Sequence, residues 1–167
     1  ALGLQAQRYG TTGNYNVALG ACTLGASDVN TGDSNIAIGK KAMFDNTSGA
    51  KNVGVGSSAL ESNTTACCNT AVGHVAMQLN TTGHSNTALG YCSLRGNTTG
   101  DNNTAIGHSS MYEGTTTGDF NTMVGVSSGR KMTSGTQNTA SGVNAMELNT
   151  TGAGNVAMGM SALAVNT

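Results

Sequence analysis

Apolar and polar residues alternate in short segments that recur along the whole chain. In residues 35–39, Ile36 and Ile38 lie on one side of an extended backbone and Ala37 lies on the other. Alternation with a period of two, together with β-branched side chains, predicts a β-strand. We expect the aliphatic side of each strand to face the interior. The predicted inward row consists of Leu19, Ile38, Val55, Val72, Leu89, Ile106 and Val124.

This segment returns at a nearly constant interval. Its copies begin at Asn16, Asn35, Asn52, Asn69, Asn86, Asn103, Asn121, Asn138 and Asn155. Successive asparagines are 19, 17, 17, 17, 17, 18, 17 and 17 residues apart. A short, fixed period is the signature of a solenoid or a similar repeat array. The chain is therefore predicted to fold as a stack of similar coils.

The rest of each unit completes the predicted coil. A second short strand is expected around Ala42-Met43, Ala59-Leu60, Ala76-Met77, Ala145-Met146 and Ala162-Leu163. A second inward row is predicted to contain Leu24, Met43, Leu60, Met77, Leu94, Met111 and Met146. The recurring Asn-Thr-Thr-Gly supplies a turn, because glycine accepts positive φ and asparagine bonds its own backbone.

Two short strands and two turns in 17 residues fit one coil of a parallel β-solenoid. Stacked coils place like residues in rows, so the asparagines that open each unit are expected to form an amide ladder. Proline is absent, as in folds where nearly every backbone N–H bonds to a neighbouring coil. The predicted fold class is all-β, with one repeat domain of about ten coils over residues 1–167. Because the sequence starts and ends inside a unit, we expect a fragment of a longer fibre protein.

Irregularities interrupt the repeat in three places. Two extra residues lie near 25–29 and one lies near 114–117, and both insertions follow the Met or Leu position, which predicts an exposed corner. In the unit 121–142, Met123 replaces the small strand residue and Gly129 replaces the usual Met. This unit is interpreted as a local irregularity, with a functional patch as the alternative.

Composition argues against several classes of function. Charged residues make up 9% of the chain and the net charge is −1, so nothing indicates binding to nucleic acid or to an anionic membrane. No apolar run is long enough for membrane insertion. The four cysteines are expected to be free thiols, because Cys22 and Cys92 would lie about 19 Å apart at a coil spacing of about 4.8 Å. Cys67 and Cys68 are adjacent and are expected to face different ways.

The Asn-x-Ala-Ile/Val/Leu-Gly-x-x-Ala pattern resembles the head repeats of trimeric autotransporter adhesins, which share its Ala-Ile-Gly-x-x-Ala core. It is also similar to the Asn-Thr-Ala-Ile-Gly-x-x-Ala-Leu-x-x-Asn-Thr-Thr-Gly repeats of phage tail-fibre-like and bacterial surface fibre proteins. The likeness covers nearly the entire chain and implies a homotrimer of left-handed parallel β-rolls. Lateral association also follows from the thin core, since each coil has few aliphatic side chains to offset the entropy cost of ordering it.

Positions that do not repeat are candidates for function, and all the aromatic residues occupy such positions. Exposed rings on a rigid polar surface suit carbohydrate binding, because a ring offers an apolar face at low entropy cost. The alternative is that the rings fill gaps between coils or chains. The predicted ligand-binding residues are Tyr15, Phe44, Tyr91, Tyr112 and Phe120, and Tyr9 is the remaining aromatic residue.

Titratable residues give no catalytic or metal-binding pattern. His74 and His108 share a row two coils apart, too far for one metal ion within a chain. Asp33, Asp101 and Asp119 follow turn glycines and are interpreted as solvated turn residues. No nucleophile motif or phosphate-binding loop is present. We therefore predict no enzyme activity, no metal and no cofactor.

These observations predict a structural or adhesive segment of a trimeric surface or tail fibre. It would present a receptor- or glycan-binding surface for attachment to a host cell. The expected partners are further copies of the chain and a cell-surface glycan or receptor. The expected location is extracellular, on a bacterial cell surface or a virion tail fibre. The alternatives are an ice-binding β-solenoid, indicated by paired threonines such as Thr81-Thr82, a passive fibre spacer, and a glycan depolymerase with a site between chains.

Overall fold

A computed structural model describes residues 1–7, 12–25 and 30–165. Nine parallel strands form one sheet in sequence order, which makes a β-solenoid of about eight turns. The insertion predicted at 26–29 lies outside the described residues. No helix capable of crossing a membrane occurs among the residues described. The strands are β1 (Val17–Leu19), β2 (Ile36–Ile38), β3 (Val53–Val55), β4 (Thr70–Val72), β5 (Thr87–Leu89), β6 (Thr104–Ile106), β7 (Thr122–Val124), β8 (Thr139–Ser141) and β9 (Val156–Met158).

The middle residue of every strand faces the interior, and the residues on either side face outward. The middle residue is alanine except for Gly54 in β3 and Met123 in β7. The predicted inward row Leu19, Ile38, Val55, Val72, Leu89, Ile106 and Val124 is therefore wrong, since these side chains are half-buried or exposed. The turn methionines already fill the space above the small strand residues. A Cβ on Gly54, for example, would lie 3.1 Å from Cε of Met43.

The second predicted row does face the interior, but it does not lie in a strand. Leu24, Met43, Leu60, Met77, Leu94, Met111 and Met146 are all buried. The predicted second strand is wrong, because the Ala-Met and Ala-Leu pairs lie in turns. In one such turn Lys41 has a φ of 60° and Met43 a φ of 51°, and the same left-handed conformations recur in the other coils. This backbone aims the Met or Leu side chain inward.

The asparagines that open the units form the predicted amide ladder, here called the inner asparagine ladder. Its members are Asn16, Asn35, Asn52, Asn69, Asn86, Asn103, Asn121, Asn138 and Asn155. Nδ2 of Asn86 donates to the carbonyl of Gly100 at 2.8 Å and so closes its own coil. Oδ1 of Asn86 accepts the backbone N–H of Asn103 at 2.8 Å and so binds the next coil. The same pair of bonds recurs along the stack.

A second set of buried asparagines lies at the Asn-Thr-Thr-Gly turn. Nδ2 of Asn63 donates to Oδ1 of Asn46, Asn80 to Asn63, and Asn97 to Asn80, at 2.7–3.1 Å. Thr116 and Met132 take the asparagine position in the next two coils. Oδ1 of Asn97 consequently has no hydrogen-bond partner, although it is buried. The irregular part of the sequence is therefore also the place where this polar row stops.

The glycine that follows each strand is required by the stacking. Gly90 has a φ of 139°, and a Cβ there would lie 2.6 Å from the carbonyl oxygen of Gly107 in the next coil. A side chain would thus meet both a disfavoured backbone conformation and a backbone atom that cannot move aside. This explains why the glycine recurs without exception from Gly3 to Gly142, each with a coil stacked on it, and Gly159 keeps the positive φ alone.

The irregular unit 121–142 keeps its interior filled by an exchange of volume. Met123 is fully buried at the position where other strands have a small residue. Gly129 stands where other coils have Met or Leu, and a Cβ there would lie 2.8 Å from Sδ of Met123. In this unit the large side chain that fills the interior comes from the strand and not from the turn. The interior of this unit is therefore structural and supports the interpretation as a local irregularity.

We expect the substitutions Met123→Ala and Gly129→Met to be destabilising alone and compensating together. Met123→Ala leaves a cavity and should cost about 2–5 kcal/mol of unfolding free energy. Gly129→Met overfills the coil and should cost about 1–3 kcal/mol. The double variant restores the arrangement of the other coils, so its cost should be below about 1.5 kcal/mol. Chemical denaturation of the four proteins measures this coupling, and purely additive costs would contradict the described packing.

Candidate functional site

A groove of two lobes lies at the corner where the repeat is lengthened by one residue between Asn103 and Asn121. The first lobe has a volume of about 200 Å³ and the second about 300 Å³. Glu113 and Gly114 line both lobes. The first is completed by Leu79, Arg95, Gly96, Tyr112 and Thr115, and the second by Lys131, Thr133 and Thr150. The insertion predicted near 114–117 therefore opens a concave surface on an otherwise regular rod.

Arg130 forms ion pairs with two carboxylates at the groove. It forms ion pairs with Glu113 of the preceding coil and with Glu147 of the following one, the second at 2.8 Å. The hydrogen bond with Glu147, with the charge of Glu113 in support, raises the pKa of Arg130 above its usual value. Arg130 therefore remains charged and holds the two acids in place.

A line of polar side chains connects Lys41 to the first lobe. Nζ of Lys41 lies 3.2 Å from Oε1 of Glu61, and Nε2 of Gln78 donates to Oε2 of Glu61 at 2.9 Å. Nε of Arg95 then donates to Oε1 of Gln78 at 3.0 Å. Partial burial acts to raise the pKa of Glu61, but hydrogen bonds with Gln78, Ser58 and Lys41 and the charge of Lys41 outweigh it and lower the pKa. The line fixes the stem of Arg95 at the mouth of the groove.

Two of the five predicted aromatic residues lie along this corner, each beside a cation. The guanidinium carbon of Arg95 lies 5.7 Å from the centre of the Tyr112 ring. Nζ of Lys41 lies 5.4 Å from the centre of the Phe44 ring. Both distances are typical of cation–π pairs. Tyr112 lines the groove, whereas Phe44 is four coils away from it.

The other three predicted aromatic residues lie elsewhere on the surface. Tyr15 and Phe120 occupy the position before the inner asparagine ladder, with φ near 60°, and are 89% and 58% exposed. Six coils separate them in the stack. Tyr91 lies in a third row, after the strand glycine. The predicted residues therefore do not converge on one site, and Tyr9 lies outside the described residues.

Tyr91 forms a stack with the two histidines that share its row. Its ring centre lies 5.4 Å from that of His74 and 5.1 Å from that of His108, with interplanar angles of 8° and 12°. Both faces of the Tyr91 ring are covered, so its edge and its hydroxyl are what it presents to solvent. This geometry suits hydrogen bonding better than stacking on a sugar.

The turn row at positions 33, 101 and 119 has a structural role that the sequence analysis missed. Oδ1 of Asp33 accepts the backbone N–H of Asn14 at 2.6 Å, and Oδ1 of Asp101 accepts that of His84 at 2.6 Å. Oδ1 of Asp119 accepts the N–H of Asp101 at 2.8 Å. Asp33 is exposed and Asp101 and Asp119 are half-buried, so these carboxylates are in contact with solvent as expected, but they also join adjacent coils.

His84 acts in the same row and contacts a thiol. Its Nδ1 accepts the backbone N–H of Cys67 at 3.0 Å and lies 3.2 Å from Sγ of Cys67. Burial raises the pKa of Cys67, and the neighbouring Cys68 thiol acts in the same direction. All four cysteines are free, as predicted. Among the described residues, no three His, Cys, Asp or Glu side chains lie close enough together to hold a metal ion.

Comparison of the chain with protein-family models, with curated proteins and with solved structures finds no match. Sequence reasoning named Tyr112, which lines the groove, as a ligand-binding residue but gave no role to Arg95 or Glu113. It noted Lys131 only as part of the irregular unit 121–142, for which a functional patch was the alternative. The signal that could have found them was the insertion itself, since an extra residue at a coil corner separates side chains that would otherwise stack.

We expect the cysteines to react with a thiol reagent in the order of their exposure. Cys68 is exposed and should be labelled first, whereas Cys92 is 6% exposed and should be protected until the chain unfolds. Cys67 should react more slowly than Cys68, because its raised pKa lowers the thiolate fraction at neutral pH. Peptide mass spectrometry after timed alkylation measures the order, with the denatured chain as control. Labelling of Cys92 as fast as Cys68 in the native protein would contradict the described fold.

Proposed function

We propose that this chain is a structural and adhesive segment of a homotrimeric surface or tail fibre. In this proposal each chain forms a left-handed β-roll, and the trimer acts outside the cell. It projects from a bacterial surface or a virion tail and presents a surface that binds a cell-surface glycan or receptor. The proposal includes no catalytic step and no cofactor.

The observation that carries the proposal is the outward apolar face of the sheet. Aliphatic side chains line it from β1 to β7, and Leu89, Leu19 and Val124 are 47%, 42% and 36% exposed. The strands are in register, so these side chains form a continuous stripe along the rod. Contiguous apolar stripes of this kind mark association surfaces. A closed ring of identical chains would bury the stripe without leaving a free edge, in agreement with the trimer that the sequence resemblance implies.

The interior gives the stiffness that a fibre needs. Every coil is joined to its neighbours by backbone bonds and by the inner asparagine ladder. Eight steps of about 4.8 Å make the sheet about 38 Å long. A rod built in this way holds a surface groove at a defined height and orientation. In a trimer each groove would occur three times, which raises avidity for a multivalent cell surface.

The threonines favour this function over ice binding. The hydroxyls of Thr47, Thr64, Thr81 and Thr133 donate to backbone carbonyls of the next coil at 2.9–3.0 Å. Those hydroxyl hydrogens are therefore engaged within the solenoid. The outer row, which includes Thr65, Thr82 and Thr99, is a single file. A flat array of paired outward threonines, as the ice-binding alternative requires, is not what these contacts produce.

The oligomeric state tests the proposal. We expect the purified chain to have a mass of three times 16.6 kDa by light scattering. The double variant Leu89→Lys with Val124→Lys places two charges on the apolar stripe. Its mass should be that of one chain, because burying these unpaired charges between chains would be costly. Thr99→Lys, on the exposed threonine row, is the matched control and should leave the trimer intact. A wild-type chain that is monomeric at micromolar concentration would overturn the trimeric fibre.

A further inference from the structure

We propose that the groove between Leu79 and Thr150 binds an acidic saccharide, with Arg95 in the first lobe and Lys131 in the second as the cations that attract its anionic groups. The inference rests on the proposed adhesive function and names the class of ligand. The anionic group is a carboxylate, as in a sialic or uronic acid, or a sulfate or phosphate ester. Both kinds of group present oxygens that pair with a guanidinium and an ammonium.

The charges of the groove indicate the sign of the charge that its ligand carries. Two carboxylates lie beside it, and both are paired with Arg130. Arg95 uses Nε for Gln78, and its two terminal nitrogens have no protein acceptor among the described residues. Lys131 is exposed and has neither an ion pair nor a hydrogen bond from its Nζ in the described part of the chain. Arg95, Arg130 and Lys131 carry three positive charges and Glu113 and Glu147 carry two negative ones, so the net charge at the groove is about +1. The cations without an ion pair among the described residues are Arg95 and Lys131.

The remaining lining groups point to a saccharide and not to a bare anion. Tyr112 and the 38% exposed Leu79 give the first lobe apolar surface against which the C–H groups of a sugar ring can pack. The second lobe is lined by threonines, and the hydroxyl oxygen of Thr133 can still accept a hydrogen bond after donating to Thr150. Apolar surface beside hydroxyls matches the amphipathic faces of a sugar.

The shape of the groove limits the ligand to a small number of sugar rings. Its lobes of about 200 and 300 Å³ are at the small end of ligand sites. They lie side by side along the solenoid, with Arg95 lining the first and Lys131 the second. A glycan lying along the rod would thus meet one cation in each lobe.

Matched saccharides test the proposal on the assembled wild-type protein. We would measure binding of 3′-sialyllactose, a sulfated lactose and neutral lactose by saturation-transfer NMR and by calorimetry. We expect at least one acidic probe to bind about tenfold or more tightly than lactose, with affinity that falls as salt is raised. Comparison of the two acidic probes distinguishes a carboxylate from a sulfate ligand.

Variants locate the binding. Lys131→Gln removes a charge without breaking a described bond and should weaken binding of the acidic probe severalfold. The double variant Arg95→Gln with Lys131→Gln should abolish the preference of the protein for the acidic probe over lactose. Lys51→Gln, an exposed lysine in another row, is the control and should have no effect. Equal binding of lactose and the acidic probes would overturn the acidic ligand and leave glycan binding standing. No binding of any probe to the intact trimer would overturn the groove as a glycan site, whereas a monomeric wild-type chain would overturn the fibre itself.

Discussion

The double hydrogen bonding of the inner asparagine ladder is the constraint on which the rest of the structure depends. One carboxamide closes a coil through Nδ2 and accepts the backbone N–H of the next coil through Oδ1. Asn86 and its neighbours in the ladder are fully buried, so a missing bond could not be replaced by water. The ladder therefore fixes both the closure of each coil and the distance to the next one. Asparagine meets both needs because it combines a donor and an acceptor on a short side chain.

The apolar outer face follows from what the ladder and the turn methionines leave unfilled. The interior of each regular coil holds buried asparagines, a small strand residue and one Met or Leu, and these leave no space for a second aliphatic row. The aliphatic residues of the strands must then lie outside, where a single chain cannot bury them. In each three-residue strand, the inward side chain therefore stabilises the coil, and the outward side chains are available for association with other chains. The groove lies at the turn corner, away from both, where a change of length disturbs neither.

Much of this fold could be predicted from the sequence. The 17-residue period and the repeated asparagine indicated stacked coils, a parallel sheet and an amide ladder, and these are confirmed. The inward Met and Leu row is also confirmed, since these side chains are buried in the interior of the coils. Alternation alone could not decide which side of a strand faces inward. Ile36 and Ile38 satisfied the pattern as well as Ala37 did, and volume inside the coil decided for Ala37.

Neither the backbone conformation of the turns nor the groove could be predicted from the sequence, and the reasons differ. Met43 and Leu60 adopt a left-handed φ that costs an L-residue about 1–2 kcal/mol, so propensity argues against it and only the stacking explains it. Arg95, Glu113 and Lys131 come from successive coils at intervals of 18 residues, which is nearly the coil period, so their spacing does not distinguish them from other stacked residues. Their proximity depends on the extra residue at the corner, whose conformation the repeat does not determine.

Replacement of one ladder carboxamide tests the central claim most directly. In Asn86→Ala the backbone N–H of Asn103 loses its acceptor, and we expect a loss of about 2–4 kcal/mol in unfolding free energy. The matched control is Asn102→Ala, an exposed neighbour outside the ladder, which should cost only about 1 kcal/mol because its φ of 56° suits alanine less well than asparagine. Denaturant unfolding of the two variants, with amide hydrogen exchange at Asn103, gives both readouts. Equal stability of Asn86→Ala and Asn102→Ala, with the Asn103 amide still protected, would contradict the account.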